Sequence, residues 1–351
     1  MYRKRVVLFV IALVGLGLVC RPSAAATAAP AKADKPAAKP QAPKAAVEPD
    51  DGIQGEYAGT YAPAGGAAAA ADAKVIGEGG GGFRVVLTAG EGEKALKVEL
   101  AGKAEGKTVP LAGKAGEVEW KGTIDGGKSL AAESKDGKFD LKWAVRRSPT
   151  EGEKPPAGAV VLLPYEEDKA PSLDAWTNAA WKAMPDGSMA VVAGAKNNLT
   201  KQSFAGCRLH IEFMCPYMPD ARGQARGNSG VYLQSRYEVQ VLDSFGLPTA
   251  DNECGGVYKI GVPKTNACLP PDRWQTYDVT FIAPEVQDGK ITKPALLTVA
   301  QNGIKIHENV KVDHTTTAGV PGPAVSPAPL MLQDHGTPVR YRNIWLVELK
   351  D

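Results

Sequence analysis

Cys207-Arg208-Leu209-His210-Ile211-Glu212-Phe213-Met214-Cys215 has an apolar residue at every odd position and a polar one at three of the four even positions. That two-residue period belongs to a strand with one face in a core. Residues 231–241 repeat the arrangement, with Val231, Leu233, Tyr237, Val239 and Val241 on one face and Tyr232, Gln234, Arg236, Glu238 and Gln240 on the other. Further strands are expected at 276–281, 295–300, 304–306, 330–332 and 339–349, and nothing after Pro185 keeps a helical period over three turns. The chain from about residue 158 therefore reads as an all-β, two-sheet antiparallel sandwich.

Ahead of it, residues 51–157 are rich in glycine and carry short alternating runs at 83–87, 95–100, 118–120 and 139–143. These read as hairpins of a small antiparallel β domain with an accessory or spacer role. The tract 64–73 is open to two readings, a short helix or a loop insertion. No catalytic constellation is visible in this part.

The chain has 41 Lys and Arg against 39 Asp and Glu. Eight of the basic residues and three of the acidic ones lie in the first fifty, which leaves a nearly neutral body of 33 against 36. A nucleic-acid partner, which needs a clustered basic excess, is not expected. Arg3-Lys4-Arg5 precede the apolar run 6–19, and small residues at 24–26 offer a cleavage pattern, so residues 1–26 read as a secretory signal peptide. An uncleaved anchor and a lipoprotein are the alternatives, the second with a poor match at Val19 before Cys20. Residues 27–50 are an Ala, Pro and Lys-rich linker. A secreted or periplasmic protein with no membrane segment after cleavage is expected. In that oxidising setting Cys254 and Cys268, which bracket a turn-rich stretch, are expected to form a disulfide, while Cys207 and Cys215 are read as buried thiols.

On the outward row, Tyr232, Gln234, Arg236, Glu238 and Gln240 combine planar hydrogen-bonding groups with a ring, the mixture that suits sugar hydroxyls and the apolar face of a sugar. A solvated strand with cross-strand ion pairs is the alternative. Asp243 falls off the alternation and needs a β-bulge to reach the same face. The spacing Glu238-x-Gln240-x-x-Asp243 resembles the Glu-x-Asp-x-x-Glu strand of laminarinase-type sandwich glycosidases, except that the middle acid is an amide and the last is shorter. Hydrolysis by a carboxylate pair is thereby in doubt.

Gly227-Asn228-Ser229-Gly230-Val231-Tyr232-Leu233, then residues 237–244, Trp274-Gln275-Thr276-Tyr277-Asp278, Leu332-Gln333-Asp334-His335-Gly336 and residues 339–345 occur in that order. Together they resemble the 3-keto-disaccharide hydrolase family, also described as a 3-keto-glucoside 1,2-lyase and 3-keto-2-hydroxy-glucal hydratase domain. Members often open with Leu-Phe-Asp-Gly before a Trp; here Leu162-Leu163-Pro164 precede Trp176.

The resemblance implies a concanavalin-like jelly roll over residues 158–351 and an oxidised glycoside as substrate. A keto group at C3 acidifies the C2 hydrogen, so a base can start an elimination at C1 that water then reverses as a net hydrolysis. Glu238 and His335 are the candidate base and acid, with Asp243 third. Arg340, Arg342 or a divalent metal ion could stabilise the oxyanion, the metal being held by Glu238, Asp243 or His335. Tyr232, Gln234, Arg236, Gln240, Asn228, Gln333, Asp334, Arg340 and Arg342 are the candidate substrate contacts. His335 could equally be a turn residue, Arg340 and Arg342 ion-pair partners, and His210 with Glu212 a surface pair. The competing function is a lectin-like module that binds glycans without turnover, as the same fold does elsewhere.

Overall fold

The computed structural model describes residues 52–349, so the leader read at 1–26 and the linker at 27–50 lie outside the described residues. Eight strands come first: β1 (Gly55–Pro63), β2 (Ala69–Gly77), β3 (Gly82–Ala89), β4 (Leu96–Lys103), β5 (Thr108–Ala115), β6 (Val118–Asp125), β7 (Ser129–Ser134) and β8 (Gly137–Ala144). They form more than a set of hairpins, because β8 pairs back onto β1 and closes a barrel. Alternation decides what fills it. The inward residues Tyr57, Val75, Val85, Leu87, Val98, Leu111, Trp120, Phe139 and Leu141 make one buried cluster, and the residues between them face out.

So small a barrel needs tight curvature. A Cβ at Gly102 would stand 2.1 Å from the Pro110 carbonyl oxygen, and one at Gly122 would stand 2.5 Å from that of Ala131. Glycine is what lets those strands approach so closely. Of the two readings of 64–73, neither holds for its second half, which belongs to β2. Ala71 and Ala73 point into the barrel, where small side chains fit and helix propensity is overridden by packing.

The remaining strands are β9 (Val160–Leu163), β10 (Lys182–Ala183), β11 (Met189–Ala190), β12 (Asn198–Phe204), β13 (Cys207–Met214), β14 (Ser229–Leu233), β15 (Tyr237–Val241), β16 (Gln275–Ile282), β17 (Glu285–Gln287), β18 (Lys290–Lys293), β19 (Ala295–Gln301), β20 (Ile304–Val312), β21 (Ala328–Leu332) and β22 (Arg340–Glu348). The larger sheet runs β10-β11-β22-β13-β16-β19-β20 with β9 also on β22, the smaller runs β12-β21-β14-β15, and β17 with β18 is a separate hairpin. Leu209, Ile211, Phe213, Val279, Leu297, Tyr341 and Ile344 from the larger sheet meet Val231, Leu233, Tyr237, Val239 and Leu332 from the smaller in one core. The sandwich is all-β and antiparallel, as its periodicity predicts.

Barrel and sandwich fall in one compact unit. Arg146 pairs with Glu56 of β1 at 3.0 Å and donates to the Cys268 carbonyl, and Arg222 donates to the Glu78 carbonyl at 2.7 Å. The segment 148–156, which leaves the barrel, lies across the outer face of the larger sheet. Thr150 donates to Asp278 there and the Gly152 N–H to Glu212.

Candidate functional site

Residues 231–241 are a hairpin and not one strand. The chain reverses at Gln234 and Ser235, both left-handed with φ of 50° and 57°, and Tyr232 then pairs with Glu238 and Gly230 with Gln240. The reversal keeps Tyr232, Glu238 and Gln240 on one outer face and removes Gln234 and Arg236 from it. Those two residues tie down the end of β12 and the loop that precedes β21. Gln234 donates to the Phe204 carbonyl and Ser326 hydroxyl, and the Arg236 guanidinium donates to the carbonyls of Val320, Gly322 and Pro323. Their expected role as sugar contacts is corrected: a fork with several carbonyls already in its grip holds a loop.

Glu238 is 2 % exposed. Burial pushes its carboxyl up, a hydrogen bond from the Tyr232 phenol pulls it partly back, and the result is raised to about 7. The phenol itself is driven far up by burial and the nearby carboxylate, so it stays protonated and can only donate to Glu238. It also accepts from Gln333 Nε2 at 3.0 Å, which completes a relay from β21 through β14 to β15. Gly230 makes room for this pair, because a Cβ there would lie 2.6 Å from both the Glu238 carboxylate and the Tyr232 ring. The Glu238 backbone is fixed as well, its N–H donating to Thr316 and its carbonyl accepting from the Tyr258 N–H.

Two neighbouring amides are oriented by a residue that the sequence did not single out. Gln224 Oε1 accepts from Asn228 Nδ2 at 3.2 Å and from Gln240 Nε2 at 3.0 Å. Both nitrogens being so used, Asn228 Oδ1 and Gln240 Oε1 are left buried with no hydrogen-bond partner. Buried acceptors without donors are costly, and two together beside a poised acid suit a ligand rich in hydroxyls. Gln224 sits in a single 3-10 turn (Gly223–Ala225) with no periodic signal to mark it.

His335 is half-buried in the turn that leaves β21, two residues past Gln333, whose N–H donates to the Gly230 carbonyl. The chain there runs toward the Asn228 end of β14. Asp334 is occupied otherwise, its carboxylate accepting from the N–H groups of Lys196 and Gly336. Asp243 is paired with Arg226 at 2.6 Å and accepts from the Phe245 N–H. Among the described residues Glu238, Asp243 and His335 are not a group close enough to share an ion. With Asp243 already neutralised by a guanidinium, a metal on that trio does not fit.

Arg340 and Arg342 lie on the opposite outer face, that of the larger sheet. Arg340 pairs with Asp186 at 2.7 Å. Arg342 pairs with Glu212 at 2.6 Å and Glu151 at 3.0 Å, between the rings of Tyr165 and Trp274 at 4.4 and 4.1 Å. Neither can reach a group bound at Glu238, so their expected substrate role is corrected to ion pairing. His210 and Glu212 are not a surface pair either, being 1 % and 0 % exposed under the 148–156 segment. Burial alone would lower the His210 pKa, but Asp278 at 2.7 Å and Glu212 at 3.5 Å outweigh it and raise it to about 9. Burial would likewise raise Glu212, yet His210, Asn343, Arg342 and the Gly152 N–H together hold it low.

All four cysteines among the described residues are free and buried. The expected Cys254–Cys268 disulfide is therefore corrected. The two sulfurs do come together, sharing a hydrogen bond with each other and with Gln301 Nε2, at 3.4 Å to each.

The fold and this face together define a β-sandwich with a buried carboxyl, raised by burial, on one outer face. Residues 158–347 match the 3-keto-α-glucoside-1,2-lyase-like domain, and the chain belongs to that family. Two solved structures from Parabacteroides distasonis ATCC 8503, both of candidate glycosyl hydrolases, are similar. One is 34 % identical with a TM-score of 0.49, covering 55 % of this chain and 85 % of the other. The second is 17 % identical with a TM-score of 0.39, covering 55 % and 95 %. A comparison with curated proteins finds no match.

Proposed function

We propose that the sandwich cleaves 3-keto-glycosides by taking the proton at C2, expelling the substituent at C1 and adding water back. The observation that carries this reading is Glu238, a buried carboxyl raised to about 7 by its surroundings. A base works best with a pKa near the working pH, and a buried carboxyl with a phenol and no cation for its partner is able to take up a proton there.

The C2 proton passes to the Glu238 carboxylate and its electron pair forms an enolate with the C3 carbonyl. That charge then makes the C1–C2 double bond while the C1–O bond breaks, and the departing oxygen takes a proton, for which His335 is the candidate donor. Water returns hydroxide at C1 and a proton at C2. Asn228 Oδ1 and Gln240 Oε1 accept sugar hydroxyls. No carboxylate nucleophile is used, in keeping with Asp243 being held by Arg226.

Incubating the purified protein with a 3-keto-glucoside tests this directly. The expected product is the free 3-keto sugar with a transient 2-hydroxy-3-keto-glucal, absent with Glu238→Gln. Binding without turnover in the wild type would establish the lectin-like alternative instead, which the same unpaired acceptors also suit. Export to the periplasm or medium belongs to this proposal, resting on the leader-like 1–26, and the N-terminus of the protein recovered from its producing cells would test it.

A further inference from the structure

We propose that Glu153, His210 and Asp278 form a divalent transition-metal site on the outer face of the larger sheet, opposite to Glu238 and independent of its function. One ligand atom from each lies within 4.8 Å of the other two. An ion at the centre of such a triangle is at most about 2.8 Å from each, so shifts of well under an ångström give ordinary bond lengths. The three side chains open onto a cavity of about 660 Å³ that also has Arg208, Lys305 and Trp345 in its walls, leaving room for water at the remaining positions.

The surrounding groups already hold the ligands as metal ligands are held. Trp345 stacks on the His210 ring at 5.0 Å, and the Glu212 carboxylate faces the Nε2 edge, which directs Nδ1 toward Asp278. Thr150 donates to the second Asp278 oxygen at 2.8 Å. The Glu153 carbonyl accepts from Asn343 Nδ2 at 2.9 Å and Trp345 Nε1 at 3.2 Å, which fixes that residue over the ring. Around the imidazole stand Glu153, Glu212 and Asp278, while Arg342 is shared between Glu212 and Glu151. The local charge favours a cation, which takes the place of the proton between His210 and Asp278. One imidazole with two carboxylates selects zinc or manganese over calcium. The bound ion would join the 148–156 segment to β13 and β16.

Zinc titration of the metal-stripped full chain, followed by calorimetry and thermal shift, tests the site. One Zn²⁺ per chain is expected, with a raised melting temperature and far weaker binding of Ca²⁺. Glu153→Gln, at an exposed side chain, and Asp278→Asn are each expected to weaken zinc about tenfold or more. Glu238→Gln is expected to bind zinc like the wild type. Absence of stoichiometric binding, equal affinity in Glu153→Gln, or loss of binding in Glu238→Gln would each overturn the assignment.

Discussion

Glu212 and Glu238 share one local pattern, an acid between two core residues (Ile211-Glu212-Phe213 and Tyr237-Glu238-Val239), and both are buried on an outer face of the same sandwich. Their chemistry is opposite. Glu212 receives Arg342, Asn343 at 2.8 Å, the Gly152 N–H at 2.6 Å and His210, and is held below the ordinary carboxylate range. Glu238 receives one phenol and is raised to about 7. Burial penalises the charge in both, and the number and charge of the partners decides which way the balance falls. A saturated acid is structural, whereas an under-partnered one is free to exchange a proton.

The largest expected effect is on the under-partnered side. Glu238→Gln should reduce turnover of a 3-keto-glucoside by about 10²- to 10⁴-fold, the usual worth of a general base. It should also stabilise the protein at alkaline pH. A carboxyl at 4.5 unfolded and about 7 folded contributes stability below pH 4.5 that is lost as pH rises through 7, up to about 3 kcal/mol. Melting curves of the variant should therefore exceed the wild type at pH 8 and converge with it near pH 4. Lower stability at pH 8 would mean that Glu238 is as well partnered as Glu212.

Arg342→Ala attacks the other side, leaving the buried Glu212 without its guanidinium partner, and should cost about 3 kcal/mol in denaturant unfolding. Activity per folded molecule should be retained, and a selective loss of kcat would return Arg342 to the active site. Tyr232→Phe makes Glu238 less partnered still. Its carboxyl should rise further, moving the acid limb of the pH–rate profile up and lowering the rate at neutral pH several-fold. An unmoved limb would show that the phenol does not set the pKa. Arg340→Ala should change stability by no more than about 1 kcal/mol, because it and its partner Asp186 are only half-buried.

Much of this was legible in the chain. The two-residue period of 207–215 and 231–241 names the core residues correctly, because alternation is a local property of a strand. Tyr232, Glu238 and Gln240 were found on one face for the same reason, and a tight reversal at Gln234 and Ser235 did not disturb their parity. The reversal itself was missed, since neither residue is the Gly or Asn that usually marks a left-handed turn. With it went the roles of Gln234 and Arg236. Barrel closure was equally invisible, because the pairing of β8 with β1 joins segments eighty residues apart in a tract that reads only as hairpins. Gln224 carries no pattern of its own and acquires meaning from two amides brought to it by other strands.

By itself the sequence determined that the chain is all-β, which residues point into the sandwich, and to which family it belongs, because period and motif are written in neighbouring residues. Tertiary structure alone decided which polar residues from distant segments come into contact. It set Arg342 with Glu212 and Tyr232 with Glu238, and so lowered the pKa of one glutamate and left that of the other raised. Ionisation depends on groups within a few ångströms in space, and folding assembles those from segments far apart in the chain.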